Sequence, residues 1–410
     1  MVYGLDADSG KKLWQMQTVE NIPNNGLISL QQVINNAEGN PEFVYWDQRT
    51  NIRFRVALGR IGAVQASYVA ILGHKGLSVV DPLRGTVLWK KADVAINSHV
   101  FGDAQHVFVV EANDAGGFGA GRALRASDGE PINVPDFSSI YQARIRAAGR
   151  QILAAQTAQA KLTIRLYDIL TGKDVWSKQF AAGTQILNTE DRNIAGVIEP
   201  NGMLTVLAAD TGKVLVTRNL VKARITPADI KGVRDPLLLQ DSERFYVALN
   251  QPIDPNKVAG GEIHNNFSNG TRCLRVNGWF AALHRHDGKR KFAGGEVAWK
   301  KGDLAWHSHL PVHNQMIVLE QFEQAPIVIF SARYNEMLKN GGNRWVSVTQ
   351  SLQKSNGKMV YDSGPRGING FSPMFSAFHL DPRTRTLNLL GFSGSVQHYI
   401  DDGKGPPALP

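Results

Sequence analysis

Ile164-Arg165-Leu166-Tyr167-Asp168-Ile169-Leu170-Thr171-Gly172-Lys173-Asp174-Val175-Trp176 is the stretch on which the fold turns. Residues 164–167 are an extended apolar run that predicts a strand. Asp168, Thr171 and Gly172 supply turn chemistry, since Asp accepts from nearby backbone N–H groups and Gly tolerates positive φ. A second extended run, 174–177, then carries Trp176. Strand, tight turn, strand predicts a β-hairpin. Clear copies stand at Val2-Tyr3-Gly4-Leu5-Asp6-Ala7-Asp8-Ser9-Gly10-Lys11-Lys12-Leu13-Trp14 and, with Asp81, Gly85 and Trp89, at residues 77–89. Recurrence of one unit along a chain means a repeat architecture. An aromatic ring of this size removes about 150–250 Å² from water. Trp14, Trp89 and Trp176, each following its glycine (Gly10, Gly85, Gly172), are therefore predicted to dock between adjacent units.

Weaker copies fill the gaps. Residues 122–129 lack the tryptophan, 204–213 have Val216 near its position, 281–289 have Phe292, and 346–358 lead to Tyr361. Upstream of most copies lie two more apolar runs separated by a turn, as at 98–101 and 107–111, or 143–147 and 151–155. Each unit reads as about four strands, the content of a propeller blade.

The copies resemble the tryptophan-docking repeat of the pyrroloquinoline-quinone-type β-propellers, in which Ala-x-Asp-x-x-x-Gly-Lys-x-x-Trp joins the last two strands of a blade. Asp8, Gly10, Lys11 and Trp14 match its later half; Asp168, Gly172 and Trp176 match with a shifted gap. The resemblance spans nearly the whole chain and implies an all-β propeller. It leaves activity open, because the family holds quinoprotein dehydrogenases, the outer-membrane assembly lipoprotein of the β-barrel machinery, and many bacterial repeat proteins. The dehydrogenases hold calcium with a Glu, an Asn and an Asp, stack the quinone on a Trp floor, and carry adjacent cysteines. No stretch here matches those residues, and Cys273 is the single cysteine. The chain is most similar to the non-enzymatic members. This implies a scaffold binding a protein or surface partner through face loops, with no cofactor and no catalytic residue, in the periplasm or at the cell surface.

The units are expected at 1–15 (partial), 60–93, 94–136, 137–181, 182–222, 223–294 and 295–362, with a connector at 16–59 that keeps strand-like runs at 42–46 and 53–58. The segment 363–400 has strands at 374–380 and 387–392 but no hairpin copy, while the first segment has a hairpin without its earlier strands. Ends that complement each other predict ring closure, which removes exposed strand edges. The expectation is one propeller over 1–400, of seven blades with eight as the alternative, and a flexible tail at 401–410. A unit that begins at its third strand reads as a chain cut from something longer. Irregular insertions are expected at 251–276 and 331–343, where binding tends to sit. Helical periodicity is limited to a single turn at 226–230.

Hydrophobic residues make up 43% of the chain, and no apolar run reaches the length of a membrane helix. The net charge of +9 comes from 45 basic and 36 acidic residues. Lys11-Lys12, Lys90-Lys91, Lys289-Arg290-Lys291 and Lys300-Lys301 fall on strand ends and turns and read as solvated rim charge. Attraction to an anionic polymer is the functional alternative. Nucleic acid is not expected, because basic clusters interleaved with exposed aromatics are missing. Residues 116–121 are glycine-rich, but a strand follows rather than a helix, so they read as a loop.

His307-Ser308-His309 with His313 is the sharpest chemical cluster. His-x-His on a strand points both rings to one face, and a third His four residues on could join them around zinc or copper. The segment is expected to open the first strand of a unit beside the channel, and His99 stands at the matching place in another. His99, His307, His309 and His313 are thus the candidate channel-face ligands, and a metal- or quinone-dependent enzyme is the alternative they support. His284 and His286 read as turn decoration. Trp279, Trp299, Trp306 and Trp345 lie off the regular tryptophan position and read as core.

Overall fold

The computed structural model describes residues 1–18, 28–35, 41–57, 59–112, 117–221, 225–252, 273–292, 295–318, 325–337, 342–362, 375–381, 386–391 and 394–399. The expected tail at 401–410 and most of the 251–276 insertion lie outside them. The chain divides into two compact units, Met1–Gln179 and Phe180–Pro410.

The first unit opens with the hairpin Val2–Leu5/Lys12–Met16 and a three-stranded sheet, Ile28–Asn35, Pro41–Asp47 and Ile52–Ala57. Three four-stranded meanders follow: Arg60–Val64, Val69–Gly73, Gly76–Val80, Val87–Lys91; then His99–Gly102, His106–Ala112, Phe118–Arg125, Pro131–Ile132; then Arg144–Ala148, Gln151–Ala158, Lys161–Asp168, Lys173–Phe180. Strand neighbours in sequence are neighbours in the sheet. Middle strands such as Val69–Gly73, Gly76–Val80 and His106–Ala112 are buried on both faces. In His106–Ala112, Val107 and Val109 join a core with Tyr68, Leu77, Val79 and Trp89 of the preceding sheet. Phe108 and Val110 join a second core with Phe137, Tyr141, Ile152 and Tyr167 of the following one. Successive side chains leave a strand on opposite faces, so only face-to-face stacking of sheets can bury both sets. The outer strand Val87–Lys91 buries Trp89 alone. Repeated four-stranded meanders stacked in this way make the fold an all-β propeller.

The second unit holds a fourth such meander, Gln185–Leu187, Ile194–Ile198, Met203–Ala208 and Val214–Asn219. A seven-stranded sheet comes next, in the order Leu237–Gln240, Arg244–Asn250, Cys273–His284, Leu304–Val318, Ile327–Met337, Asn343–Gln353 and Met359–Asp362. A separate hairpin, Gly288–Phe292/Gly295–Trp299, and a three-stranded sheet, Phe375–Asp381, Thr386–Gly391 and Gly394–Tyr399, complete it.

One turn recurs at the last hairpin of each unit. Gly10 N–H donates to Asp6 O and Asp6 N–H to Lys11 O, both at 2.9 Å. The same pair of bonds joins Asp81, Gly85 and Thr86; Arg125, Gly129 and Glu130; Ala208, Gly212 and Lys213; and Gln353, Gly357 and Lys358. Every one of these glycines has φ between +67° and +75°, where an L side chain is strained. In three of these turns a tryptophan from the preceding unit lies on the glycine and donates to the turn, the third being Trp306 on the Gly357 turn described below. Trp14 Nε1 donates to Pro82 O at 2.7 Å, and a Cβ at Gly85 would lie 2.4 Å from Trp14 Cγ. Trp89 Nε1 donates to Ala126 O at 2.8 Å and covers Gly129 in the same way. Gly172 meets the ring of Pro135 instead, and Gly10 has nothing within 4 Å among the described residues. Trp176 is half-buried on Lys173–Phe180.

The turn also corrects a boundary. Gly302 N–H donates to His284 O at 2.8 Å, and His284 N–H to Asp303 O at 2.9 Å. The whole hairpin Gly288–Trp299 is therefore threaded into a turn of the usual kind, and the strand that the turn delivers is Leu304–Val318. Trp306, not Phe292, holds the tryptophan position: its Nε1 donates to Lys354 O at 2.6 Å and its ring covers Gly357. Val216 faces Gly302, where a Cβ would lie 3.1 Å from Val216 Cγ1, as its place near the tryptophan position implied.

Two further expectations change. The connector gains the strand Ile28–Asn35, whose Gln31-Gln32 pair hides its alternation and accompanies a bulge in its pairing. Within 331–343, expected as an irregular loop, the described residues instead extend two strands paired from Ser331↔Thr349 to Met337↔Asn343, and 338–341 lie outside the described residues. Among the described residues helix is confined to Pro227–Gly232, where a turn was expected, and to Ser138–Gln142, which follows Asp136 and was not foreseen.

Candidate functional site

Three consecutive sheets of the first unit begin with Arg60, His99 and Arg144. Their first strands lie against one another, so these side chains come together. His99 Nδ1 is 2.8 Å from the hydroxyl of buried Tyr141 and 3.3 Å from Arg144 Nη2. The Arg144 guanidinium lies 4.0 Å over the Tyr141 ring and 4.8 Å over Phe118, and Nη1 donates to Tyr141 O at 3.0 Å. Phe118 packs edge-on against both His99 and Tyr141, at 4.9 and 5.1 Å. Arg60 Nη2 donates to Asn97 O at 3.0 Å and to Ser98 O. Burial, then the positive charges of Arg60 and Arg144, push His99 from its ordinary value of 6.5 down to about 4. The ring is neutral at pH 7. Two guanidiniums beside it repel a dication and favour an anion.

His307 and His309 lie on Leu304–Val318, the fourth strand in the order of the seven. This corrects the expectation of a first strand beside the channel; the inserted hairpin displaces the register by which strands were counted. Cross-strand pairing sets Trp279 opposite His309 and Ala281 opposite His307. Both imidazoles stand edge-on to the Trp279 ring, at 5.3 Å for His307 and 4.9 Å for His309. Asp229, in the first turn of Pro227–Gly232, belongs to a capping box with Thr226. Burial pushes its carboxyl up, but hydrogen bonds, first those from the Thr226 backbone and side chain, outweigh it and hold Asp229 below the usual carboxylate range. His313 is on the same strand, and its side chain lies outside the described residues.

The structure thus keeps His307 and His309 together around Trp279 in the second unit, and sets His99 among arginines in the first. Among the described residues no three His, Cys, Asp or Glu side chains converge as a ligand set. His284 stacks on Trp299 at 4.5 Å, and His286 Nε2 is 3.2 Å from Ser242 O. A cavity of about 340 Å³ in the first unit is lined by Met16, Thr18, His74, Lys75, Gly76 and Lys90. Sequence reasoning missed Arg60, Arg144, Tyr141 and Phe118. Position at the start of an apolar run was the available signal for the arginines. Phe118 was absorbed into the glycine-rich loop, yet it opens the strand Phe118–Arg125. Asp229 was legible in Thr226-Pro227-Ala228-Asp229, a helix-start pattern.

The family described as outer membrane protein assembly factor BamB matches residues 1–248. No curated protein sequence matches the chain. Among solved structures, BamB from Moraxella catarrhalis is 12% identical with a TM-score of 0.33, covering 90% of this chain and 96% of that one. The computationally designed Ika8 protein is 12% identical with a TM-score of 0.35, covering 91% and 95%. The quinohemoprotein alcohol dehydrogenase ADHIIG from Pseudomonas putida HK5 is 13% identical with a TM-score of 0.34, covering 82% and 64%. None of these structural likenesses bears on function.

Proposed function

The chain belongs to the outer membrane protein assembly factor BamB family, and on that premise we propose that it is a non-catalytic propeller scaffold that binds a protein partner through face loops. It works outside the cytoplasm, in the periplasm or at the cell surface. The observation that carries this reading is the family match over residues 1–248. In this account residues 1–400 form a propeller of seven blades, with eight as the alternative, and Trp14 on the Gly85 turn and Trp89 on the Gly129 turn are docking contacts that stiffen it. Rigid scaffolds with variable loops suit partner binding. Among the described residues no helix is long and apolar enough to cross a membrane.

The test is depletion of the protein in its host, followed by quantification of folded β-barrel proteins in the outer membrane by their heat-modifiable migration. The expected result is a fall in folded barrels. Unchanged barrels would contradict a role in outer-membrane protein assembly, which we propose for the chain from the description of its family. A second reading, binding of an anionic polymer, draws on the net charge of +9. Counterion release makes polymer binding fall steeply with salt, so partner binding that survives raised salt favours the protein scaffold.

A further inference from the structure

The inserted hairpin Gly288–Phe292/Gly295–Trp299 completes no larger sheet. Among the described residues its two strands pair only with each other, and the turn from His284 to Asp303 closes behind them. A lone two-stranded hairpin is marginal in water and adds little to folding. This one is nevertheless well rooted. Trp299 stacks on His284 at 4.5 Å and covers Gly288, where a Cβ would lie 2.6 Å from the indole. Lys301 N–H donates to Asp287 Oδ1 at 2.6 Å, and Arg285 N–H to Glu243 O at 3.0 Å. The Arg285 guanidinium donates to Asp241 O and lies 5.2 Å over Phe245. A rooted arm loses little freedom on meeting a partner, which lowers the cost of binding. Charge is concentrated on the same arm. Residues 285–301 hold Arg285, Lys289, Arg290, Lys291, Lys300 and Lys301 against Asp287 and Glu296, so +4 of the chain's +9 falls here. Arg285 is engaged at the root. Lys289 reaches Glu296 at 3.4 Å yet stays 67% exposed, and Lys300 and Lys301 are exposed as well. Like charges held this close repel one another, and an anionic partner relieves them. Trp299 is already stacked on His284, so it offers no free face to a base, which argues against single-stranded nucleic acid. Val297, 57% exposed, is the one large aliphatic side chain that the described part of the hairpin shows to solvent, too little apolar surface to seat the arm in lipid.

We infer that the inserted hairpin of the second unit docks an acidic segment of a partner protein, residues 289–291 and 300–301 supplying the positive charge. The inference rests on the reading of the chain as a protein-binding scaffold and names the chemistry of its partner.

The test is an anisotropy titration of the full chain with a fluorescein-labelled oligoglutamate peptide at low salt. Lys289→Gln, Arg290→Gln and Lys291→Gln combined should weaken binding roughly tenfold or more, since three exposed contacts of modest strength are lost together. Lys11→Gln with Lys12→Gln, an exposed pair on the first hairpin, should leave it within about twofold. Glu296→Gln should tighten binding severalfold, because it releases Lys289. Removing residues 285–298 should weaken it at least as far as the triple variant does. Should that shortened chain not fold, the charge variants keep the backbone intact and still decide. Contacts between exposed charges weaken with salt, so the peptide should come off as salt rises, while the whole partner, held by further face loops, stays bound. Unchanged binding by the triple variant would overturn the inference. So would an equal loss in the Lys11 and Lys12 variant, weaker binding by Glu296→Gln, or hairpin-dependent binding of oligothymidylate or phosphatidylglycerol vesicles that is tighter than that of the peptide. If depletion harms barrel assembly yet the triple variant complements fully and binds peptide as the wild type does, the docking arm falls and the scaffold stands. If depletion is harmless but hairpin-dependent peptide binding holds, the assembly role falls and the arm stands.

Discussion

Two glycines with the same backbone separate strain from contact. Gly10 and Gly85 both have φ +67°. A Cβ at Gly10 would meet nothing within 4 Å, whereas at Gly85 it would lie 2.4 Å from Trp14 Cγ. Gly10→Ala should cost about 1–2 kcal/mol for left-handed backbone alone. Gly85→Ala should cost more, because Trp14 must also leave its bond to Pro82 O; urea midpoints of the two variants give the comparison. His99 supplies a pH signature. Its folded value of about 4 lies below the ordinary 6.5, so the unfolded chain takes up a proton that the native state refuses. Its stabilising contribution is complete above pH 6.5 and is lost as pH falls toward about 4. His99→Gln should flatten the dependence of the urea midpoint on pH in that window, and an unchanged slope would show that His99 is not held neutral. Trp14, Trp89 and their turns were legible because aromatic and glycine spacing is local. Arg144 and Tyr141 were not, because their meeting with His99 depends on sheets that stack far apart in sequence.

At the scale of elements, the inserted hairpin explains the largest misreading. Asp287-Gly288-Lys289 has the same turn chemistry as Asp168 to Lys173, so Phe292 stood where a docking ring was expected. Only the bonds between His284, Gly302 and Asp303 reveal that the true turn closes around the insertion. Deleting residues 285–298 leaves Trp299, Lys300 and Lys301 between His284 and Gly302, which restores the spacing of the other turns. The shortened chain should fold, with Trp306 still buried by fluorescence quenching; an unfolded product would make the hairpin structural. Lys354 ties the next unit into the same sheet. Its carbonyl accepts from Trp306, and its Nζ lies 3.1 Å from Asp241, which also accepts from the Tyr246 hydroxyl at 2.7 Å. Both side chains are no more than 7% exposed. Lys354→Met should cost about 3–5 kcal/mol in the unfolding free energy, because it strands a buried carboxylate. A loss below about 1 kcal/mol, the range of surface pairs, would refute a buried role for the pair.

For the whole molecule, the all-β propeller was readable from repeated hairpins, since strand, turn and ring recur within a dozen or so residues and need no long-range information. The second unit was less readable, because its strands lengthen beyond the repeat and merge seven into one sheet. Family membership was readable as a resemblance and is borne out over residues 1–248. The most direct test of the scaffold reading is the composition of the particle purified from its native envelope in mild detergent, by light-scattering mass together with metal and quinone analysis. The account predicts a partner polypeptide at a fixed ratio and neither metal nor quinone near stoichiometry. A lone chain carrying near-stoichiometric zinc, copper, calcium or quinone, lost when His307→Ala and His309→Ala are combined, would contradict it.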